Sequence, residues 1–491
     1  MRDQLPLSGS GKLITTVEPK FIPKEAVNVN LGDDQKVRIR LIDCVGFLVK
    51  DASGHIEDGR ERMVKTPWFE KAIPFGLQHV LAMFVANIAP ILIVAGAVKL
   101  STEETGALVQ AAMIIAGIGS LFQLYPLGPL GSGLPIIMGI SFTFVSTFCV
   151  IGAKYGYGAV LGAALVGGLL EGLIGMGAKY WRRFIPPIVS ASVVTAIGFS
   201  LLGIGANSFG GGFGNPHFGE PKFLIVGTIT LLSCLIFNIK AKHFYKQLSV
   251  LFGLVVGYIA AAFLGMVDLS RMTQVGLFSL PMPLPYALEF RPDAIFSVFL
   301  IFLVSATETL GDTSALAAMG MGRDASDGEI RGSIAVDGFI SSLSSLFGCL
   351  PITSFSQNVG LVAMTHVVNR KAIASGALIM ILAGLFPAFG VILASLPDAV
   401  LGGCTLMMFG SIVVSGVRML AGCGFTQRNM SIAALSLSIG IGFTQTPAIF
   451  KMFPTIIKSV FAENCVAVVF VVAFALNLIF PSELEMEKMN Q

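Results

Sequence analysis

Charge is what this sequence has least of: Asp, Glu, Lys and Arg make up 12% of its 491 residues, whereas 54% are hydrophobic. A water-dispersed protein of this length carries about 25% charged residues, so a soluble globular chain is excluded. The net charge of +3 is too small for a nucleic-acid or other polyanionic partner, and the basic residues are scattered between apolar runs. Metal-ligand spacing is missing as well. The seven cysteines (Cys44, Cys149, Cys234, Cys349, Cys404, Cys423, Cys465) are odd in number and six lie in or beside apolar segments. They read as small buried residues, and neither a metal nor a cofactor is expected. Residues 1 to 70 hold no apolar stretch long enough for a secretory signal core, so the first spanning helix is expected to act as its own insertion signal.

Long apolar runs are present instead. From Ile73 to Phe480 they measure about 18 to 25 residues, each enough to cross a hydrocarbon core of about 30 Å as a helix. The pattern gives about fourteen segments, near 73–98, 106–124, 131–151, 157–177, 185–204, 222–239, 248–267, 293–318, 332–348, 351–366, 372–395, 397–417, 430–443 and 461–480. Residues 1–72 form a separate, polar part, in which the alternating run Val37-Arg-Ile-Arg-Leu-Ile42 predicts a strand. Residues 73–481 are expected to form the membrane domain and 482–491 a cytoplasmic tail. Short cytoplasmic loops should hold the basic residues. Lys179/Arg182/Arg183, Lys240/Lys242/Lys246, Arg323/Arg331, Arg370/Lys371 and Arg418/Arg428 follow segments 4, 6, 8, 10 and 12, which places five loops on one side and both termini in the cytoplasm.

The two halves share a spacing. Pro135-x5-Ser141 in segment 3 matches Pro351-x5-Gln357 in segment 10, and Pro186-x-x-Val189 resembles Pro397-x-x-Val400. An offset of seven segments is odd, so equivalent helices run in opposite senses, as in the inverted repeats of secondary transporters. Coincidence among 23 prolines is the competing account.

Ionisable groups at mid-helix cost roughly 2.5 to 3.5 kcal/mol on insertion scales, so the few present need individual reasons. Glu308 and Asp312 in segment 8 are four apart and share one helical face. Two like charges there repel, and the pair is suited to hold a proton between them or to meet a donor-rich ligand. A helix-end pair in a wet vestibule is the plainer account. Segments 3 and 10 are the least helical, with Gly131-Ser-Gly-Leu-Pro135 in one and Pro351-Ile-Thr-Ser-Phe-Ser-Gln-Asn-Val-Gly360 in the other. Broken helices at membrane depth are tolerated where protein or ligand satisfies the freed backbone, which makes these segments the binding-site pointers. Gln357 offers an amide donor and acceptor side by side, matching the edge of a small planar polar solute. His79 in segment 1 and Asp337 in segment 9 complete the buried polar set, each open to a structural reading. Glu171 in segment 4 has no evident partner.

Gln357-Asn-Val-Gly-Leu-Val-Ala-Met-Thr365 resembles the Q/E-N-x-G-x4-T pattern of the nucleobase–ascorbate transporters, also called the nucleobase:cation symporter-2 family. Gln78-His79, Glu308-x3-Asp312, Asp337 and Gly131-Ser-Gly133 also fall where that family has them, and the likeness runs from about Phe75 to Pro481. The resemblance implies an all-α polytopic protein of the cell membrane with fourteen spans in two inverted seven-segment repeats. It implies a core domain (segments 1–4 and 8–11), a gate domain (5–7 and 12–14), elevator-like movement, and pairing as a homodimer. On this resemblance Glu308 accepts hydrogen bonds from ring N–H groups, Gln357 pairs with an adjacent base edge, and backbone near Ser141, Phe142 and Gly360 completes the clamp. His79, Asp312 and Asp337 support the site and couple it to protons, and Asn358 holds segment 10 in shape. The implied function is proton-coupled import of an oxidised purine base, xanthine or urate, with no enzymatic activity. Uracil members of the family usually carry Glu at the Gln357 position and His at the Asp312 position. Ser141 stands where xanthine-selective members often have Asn, and His366 replaces the usual basic residue or Gly after Thr365. A uracil permease on the same fold therefore stays in view, as does an anion carrier, which the paired acids oppose.

Residues from about Asp3 to Phe75 resemble an internal piece of the stage IV sporulation protein A, a nucleotide-hydrolysing spore-coat scaffold. The likeness rests on Thr15-Thr-Val-Glu-Pro-Lys-Phe-Ile-Pro-Lys-Glu25, Arg40-Leu-Ile-Asp-Cys-Val-Gly-Phe47 and Arg62-Met-Val-Lys-Thr-Pro-Trp-Phe69. Asp43-x-x-Gly46 would be its phosphate-sensing motif. Ser10-Gly11-Lys12 lacks the first glycine of a phosphate-cradling loop, so hydrolysis and a nucleotide-binding scaffold role are not expected. A piece this short is expected to pack poorly by itself.

Overall fold

The computed structural model describes residues 68–268, 276–365 and 367–481, together with four short strands nearer the N-terminus. The chain divides into two units, Met1–Met63 and Val64–Gln491. In the first, β1 (Val27–Asn30) pairs antiparallel with β2 (Lys36–Ile39), and β3 (Leu48–Lys50) with β4 (Ile56–Asp58). The strand expected from Val37 is present through Ile39. Residues 40–42, the Asp43-x-x-Gly46 motif, Ser10-Gly11-Lys12, His366 and the tail from 482 lie outside the described residues.

The second unit is helical apart from one strand pair. Besides a single turn at Ala178–Trp181, its helices are α1 (Trp68–Ala97), α2 (Thr102–Leu124), α3 (Val145–Tyr155), α4 (Tyr157–Met176), α5 (Pro187–Phe209), α6 (Pro221–Lys240), α7 (Ser249–Phe263) and α8 (Pro292–Met321). There follow α9 (Asp327–Leu346), α10 (Ser356–Thr365), α11 (Arg370–Gly384), α12 (Pro387–Ala394), α13 (Asp398–Gly422), α14 (Gln427–Gln445), α15 (Thr455–Phe461) and α16 (Cys465–Ile479). Among the described residues, eight of these are long and apolar enough to cross a membrane. Their ends follow local chemistry. Ser101 and Glu104 form a capping box on α2, and Ser326 and Glu329 another on α9. Proline opens α5, α6 and α8, where its missing N–H costs nothing.

Segment 11, expected as one span over 372–395, is two helices, α11 and α12, bent by 82°. Pro387 explains the break: it lacks the N–H that would continue α11, and it pushes Phe386 to φ −100°, ψ 100°. Segments 3 and 10 are broken as expected. Each is a strand followed by a helix: β5 (Met138–Ile140), a 3-10 turn at Phe142–Phe144 and α3, then β6 (Ile352–Ser354) and α10. β5 and β6 pair antiparallel, with Met138 opposite Ser354 and Ile140 opposite Ile352. The pairing satisfies backbone that water does not reach. Outer-edge groups find side chains: Met138 N donates to Ser120 Oγ (2.8 Å) and Ile140 N to Asn87 Oδ1 (2.7 Å).

Interior helices meet through small residues. A Cβ on Gly338 of α9 would lie 2.2 Å from Gly172 N of α4, so these backbones touch at a distance only glycine permits. α9 itself is rich in buried serine, among them Ser333, Ser341, Ser344 and Ser345. Ser333 accepts from Gln123 and Thr313 of other helices, Ser341 bonds Ile352 of β6, and Ser344 and Ser345 donate to the carbonyls of Leu350 and Ser341.

Candidate functional site

A cavity of about 830 Å³ opens beside the β5–β6 pair, and Phe142, Thr143, Glu308, Asp312, Ser356 and Gln357 all line it. The chain reaches it from three directions. After β5, Ser141 caps the 3-10 turn by accepting from Thr143 N (3.3 Å), which brings Phe142 and Thr143 onto the wall. Past β6, the start of α10 delivers Ser356 and Gln357. α8 passes behind both, with Glu308 and Asp312 one turn apart.

Each acid is held by a hydroxyl from a different broken segment. Thr143 Oγ1 donates to Glu308 Oε2 at 2.8 Å, and Ser356 Oγ donates to Asp312 Oδ2 at 2.9 Å. Neither hydroxyl was marked by the sequence pattern, since threonine and serine are common in apolar helices. The Phe142 ring is fixed edge-on against Phe409 of α13, with centroids 5.4 Å apart and planes at 84°. Beside the broken segments the cavity therefore presents the carboxyl groups of Glu308 and Asp312, the Gln357 amide and the Phe142 ring, and Lys246 and Arg418 lie elsewhere on its lining.

Asp337 is fully enclosed and outside the cavity lining. Its Oδ1 accepts from Gln123 Nε2 (3.0 Å), and its Oδ2 accepts from Thr309 Oγ1 (2.6 Å) and Ser354 N (2.8 Å). It ties β6 to α2 and α8. Gln123, a polar residue inside an apolar run, was the unused signal for this network. Asn358 Nδ2 donates to the carbonyl of Pro135 at 2.8 Å, joining the tenth segment to the third. His79 is 2% exposed and lies in reach of Asn358, although neither ring nitrogen has a partner of regular geometry. It too stands behind the wall.

Gly360, expected in the clamp, is not part of the lining. It lies nearly a turn beyond Gln357 on α10 and is exposed, and a Cβ there would meet nothing within 4 Å. Ser141 and Phe142 do line the cavity. Among the described residues no group of three or more His, Cys, Asp or Glu side chains is placed to hold a metal.

The profile of a family described as the permease family matches residues 70–449. This chain belongs to that family. The match agrees with the likeness to nucleobase–ascorbate transporters read from Gln357 to Thr365. A second profile, the ATPase domain of stage IV sporulation protein A, matches residues 1–82. The permease is 36% identical over 432 residues to the xanthine permease XanQ of Escherichia coli (strain K12), covering 84% of this chain and 92% of the relative. It is 33% identical over 399 residues to the nucleobase transporter PlUacP of Paenibacillus larvae, covering 81% and 92%. Among solved structures, the transmembrane domain of a cyanobacterium bicarbonate transporter, BicA, superposes with a TM-score of 0.53 at 15% identity, covering 81% of this chain and 98% of that one. That likeness shows the fold alone: the permease is a multi-pass, all-helical membrane transporter.

Proposed function

We propose that this permease imports an oxidised purine base, xanthine or urate, together with a proton. The observation that carries the reading is one cavity that gathers Glu308, Gln357 and Phe142. A purine held there would donate ring N–H groups to Glu308, pair a C=O and N–H edge with the Gln357 amide, and lay its face on Phe142. Relatives named as a xanthine permease and a nucleobase transporter support the substrate class. Bicarbonate, named for a structural neighbour, is disfavoured here because it has neither ring N–H groups for Glu308 nor a flat ring for Phe142.

Glu308 and Asp312, one turn apart on the cavity wall, are the groups we assign to coupling, since a proton shared by the pair relieves their repulsion. His79, Asp337 and Asn358 hold the wall behind them. The strand-then-helix form of segments 3 and 10, seven segments apart and paired antiparallel, supports two inverted repeats of seven segments. On that plan segments 1–4 and 8–11 form a core that slides, elevator-like, against a gate of segments 5–7 and 12–14, in a homodimer. The loop charges support cytoplasmic termini at the cell membrane. Two residues from those basic loops, Lys246 and Arg418, line the cavity, which opens it toward the cytoplasm. Residues 1–72 take no part in transport.

The test is uptake of radiolabelled xanthine and urate by cells lacking their own base permeases, with a pH gradient imposed and uracil as competitor. Competition by uracil with no uptake of either purine would move the assignment to a uracil permease. Wild-type uptake in Glu308→Gln would reject the site.

A further inference from the structure

Glu171 of α4, which the substrate site leaves unused, is 1% exposed, and neither carboxylate oxygen has a hydrogen-bond partner of regular geometry. The Ser305 hydroxyl of α8, also without a regular partner, is within reach of it. The charged groups that face it are Asp337 of α9 and Glu308 of α8, both acids. No cation balances it among the described residues.

The contrast with Asp337 is informative. Asp337 receives three donors on its two oxygens, an arrangement that suits an ionised carboxylate. Glu171 receives none, and an unpaired negative charge beside another in a low-dielectric interior is too costly to persist. Glu171 is therefore held as the neutral acid, its one O–H placed beside Ser305. Ser305 and Glu308 are three residues apart on α8 and share a face, so the hydroxyl is a stepping point between the cavity acid and the enclosed one.

We propose that Glu171 carries the proton that crosses with the substrate. The neutral acid is the loaded state; once Glu171 has given up its proton on the far side it is briefly ionised and must be refilled. The new proton enters at Glu308 from cavity water, and Ser305 takes it on its oxygen as its own hydroxyl proton passes to the ionised Glu171, so one O–H bond breaks and one forms at each step. Glu308 is left ionised and free to hold a ring N–H, and the core moves with one buried negative charge fewer. This inference rests on the proton-symport reading above.

The experiment uses Glu171→Gln in the full-length protein, in membrane vesicles, with labelled xanthine and two readouts. Exchange of labelled for unlabelled base at equal pH should stay within about two-fold of the parent, because Gln imitates the neutral acid. Accumulation driven by a one-unit gradient, worth roughly ten-fold for one proton in the parent, should fall to none. Ser305→Ala should slow accumulation and leave its final level unchanged. Retained accumulation in Glu171→Gln overturns the proposal, as does loss of both activities in inserted protein, which would mark a packing role. If Glu171→Gln fails to insert, Glu171→Asp, which keeps an acid, should insert and accumulate; its failure too overturns the proposal. A parent that ignores the gradient fails the symport reading itself and takes this inference with it.

Discussion

Thr143 and Glu308 are joined by a 2.8 Å hydrogen bond across the seam between the third and eighth segments, the hydroxyl donating and the carboxylate accepting. The bond orients the one acid that the proposed substrate would touch. A hydrogen bond to a charged group contributes about 1.5 to 3 kcal/mol, so Thr143→Val, nearly the same shape, should lower uptake kcat/KM roughly ten- to hundred-fold. Membrane abundance should be unchanged. Uptake equal to the parent would show that the carboxylate is held by other means.

Asp337→Asn should unsettle the fold more than the chemistry. The amide puts N–H groups against donors already in place from Gln123, Thr309 and Ser354. Each buried donor left unpaired costs about 1 to 3 kcal/mol, so the unfolding midpoint in detergent should drop by several degrees. An unshifted midpoint would count against the bracing role.

Two glycines make a matched pair of opposite expectation. Gly338→Ala drives a methyl to 2.2 Å from Gly172 N and should cost about 1 to 3 kcal/mol or more, seen as lost yield of folded protein. Gly360→Ala meets nothing within 4 Å and should leave base uptake within about two-fold of the parent. A strong uptake defect in Gly360→Ala would return that residue to the clamp.

Lys154 at the end of α3 lies 3.8 Å from Glu463, between α15 and α16, next to a 2.5 Å bond from Tyr155 OH to Asp293. On the elevator reading this pair joins core to gate on the side away from Lys246 and Arg418. An ion pair so exposed contributes about 0 to 1 kcal/mol, too little to matter for folding and enough to bias two conformers. Glu463→Gln should increase labelling of an introduced Phe142→Cys by an outside, impermeant thiol reagent. Equal labelling with and without the pair would remove it as a closure.

Much of this arrangement was legible in the residues. Apolar run length marked the eight helices long enough to cross among the about fourteen segments expected, and Gly131 to Pro135 and Pro351 to Gly360 marked the two breaks, because both signals are local. The bend at Pro387 is equally local, but the run stays apolar on both sides of it, so hydropathy alone does not mark it. Gln357 and Glu308 were legible as rare polar groups at membrane depth. Their holders were not: Thr143 meets Glu308, and Gln123 meets Asp337, across gaps in sequence that no short pattern spans. Gly360 belongs to the same motif as Gln357 but not to the lining, because a motif records which residues occur together and not which of them border a cavity.

Ile140 finds its strand partner in Ile352, so the third segment leaves the ribosome long before the backbone that completes it exists. Until the tenth arrives, its open edge has to be sheltered by the insertion machinery or by water, since lipid offers it no hydrogen bonds. The grip on the solute is thus assembled late in synthesis, and a nascent chain halted before residue 352 would be a set of threaded helices with nothing to hold cargo.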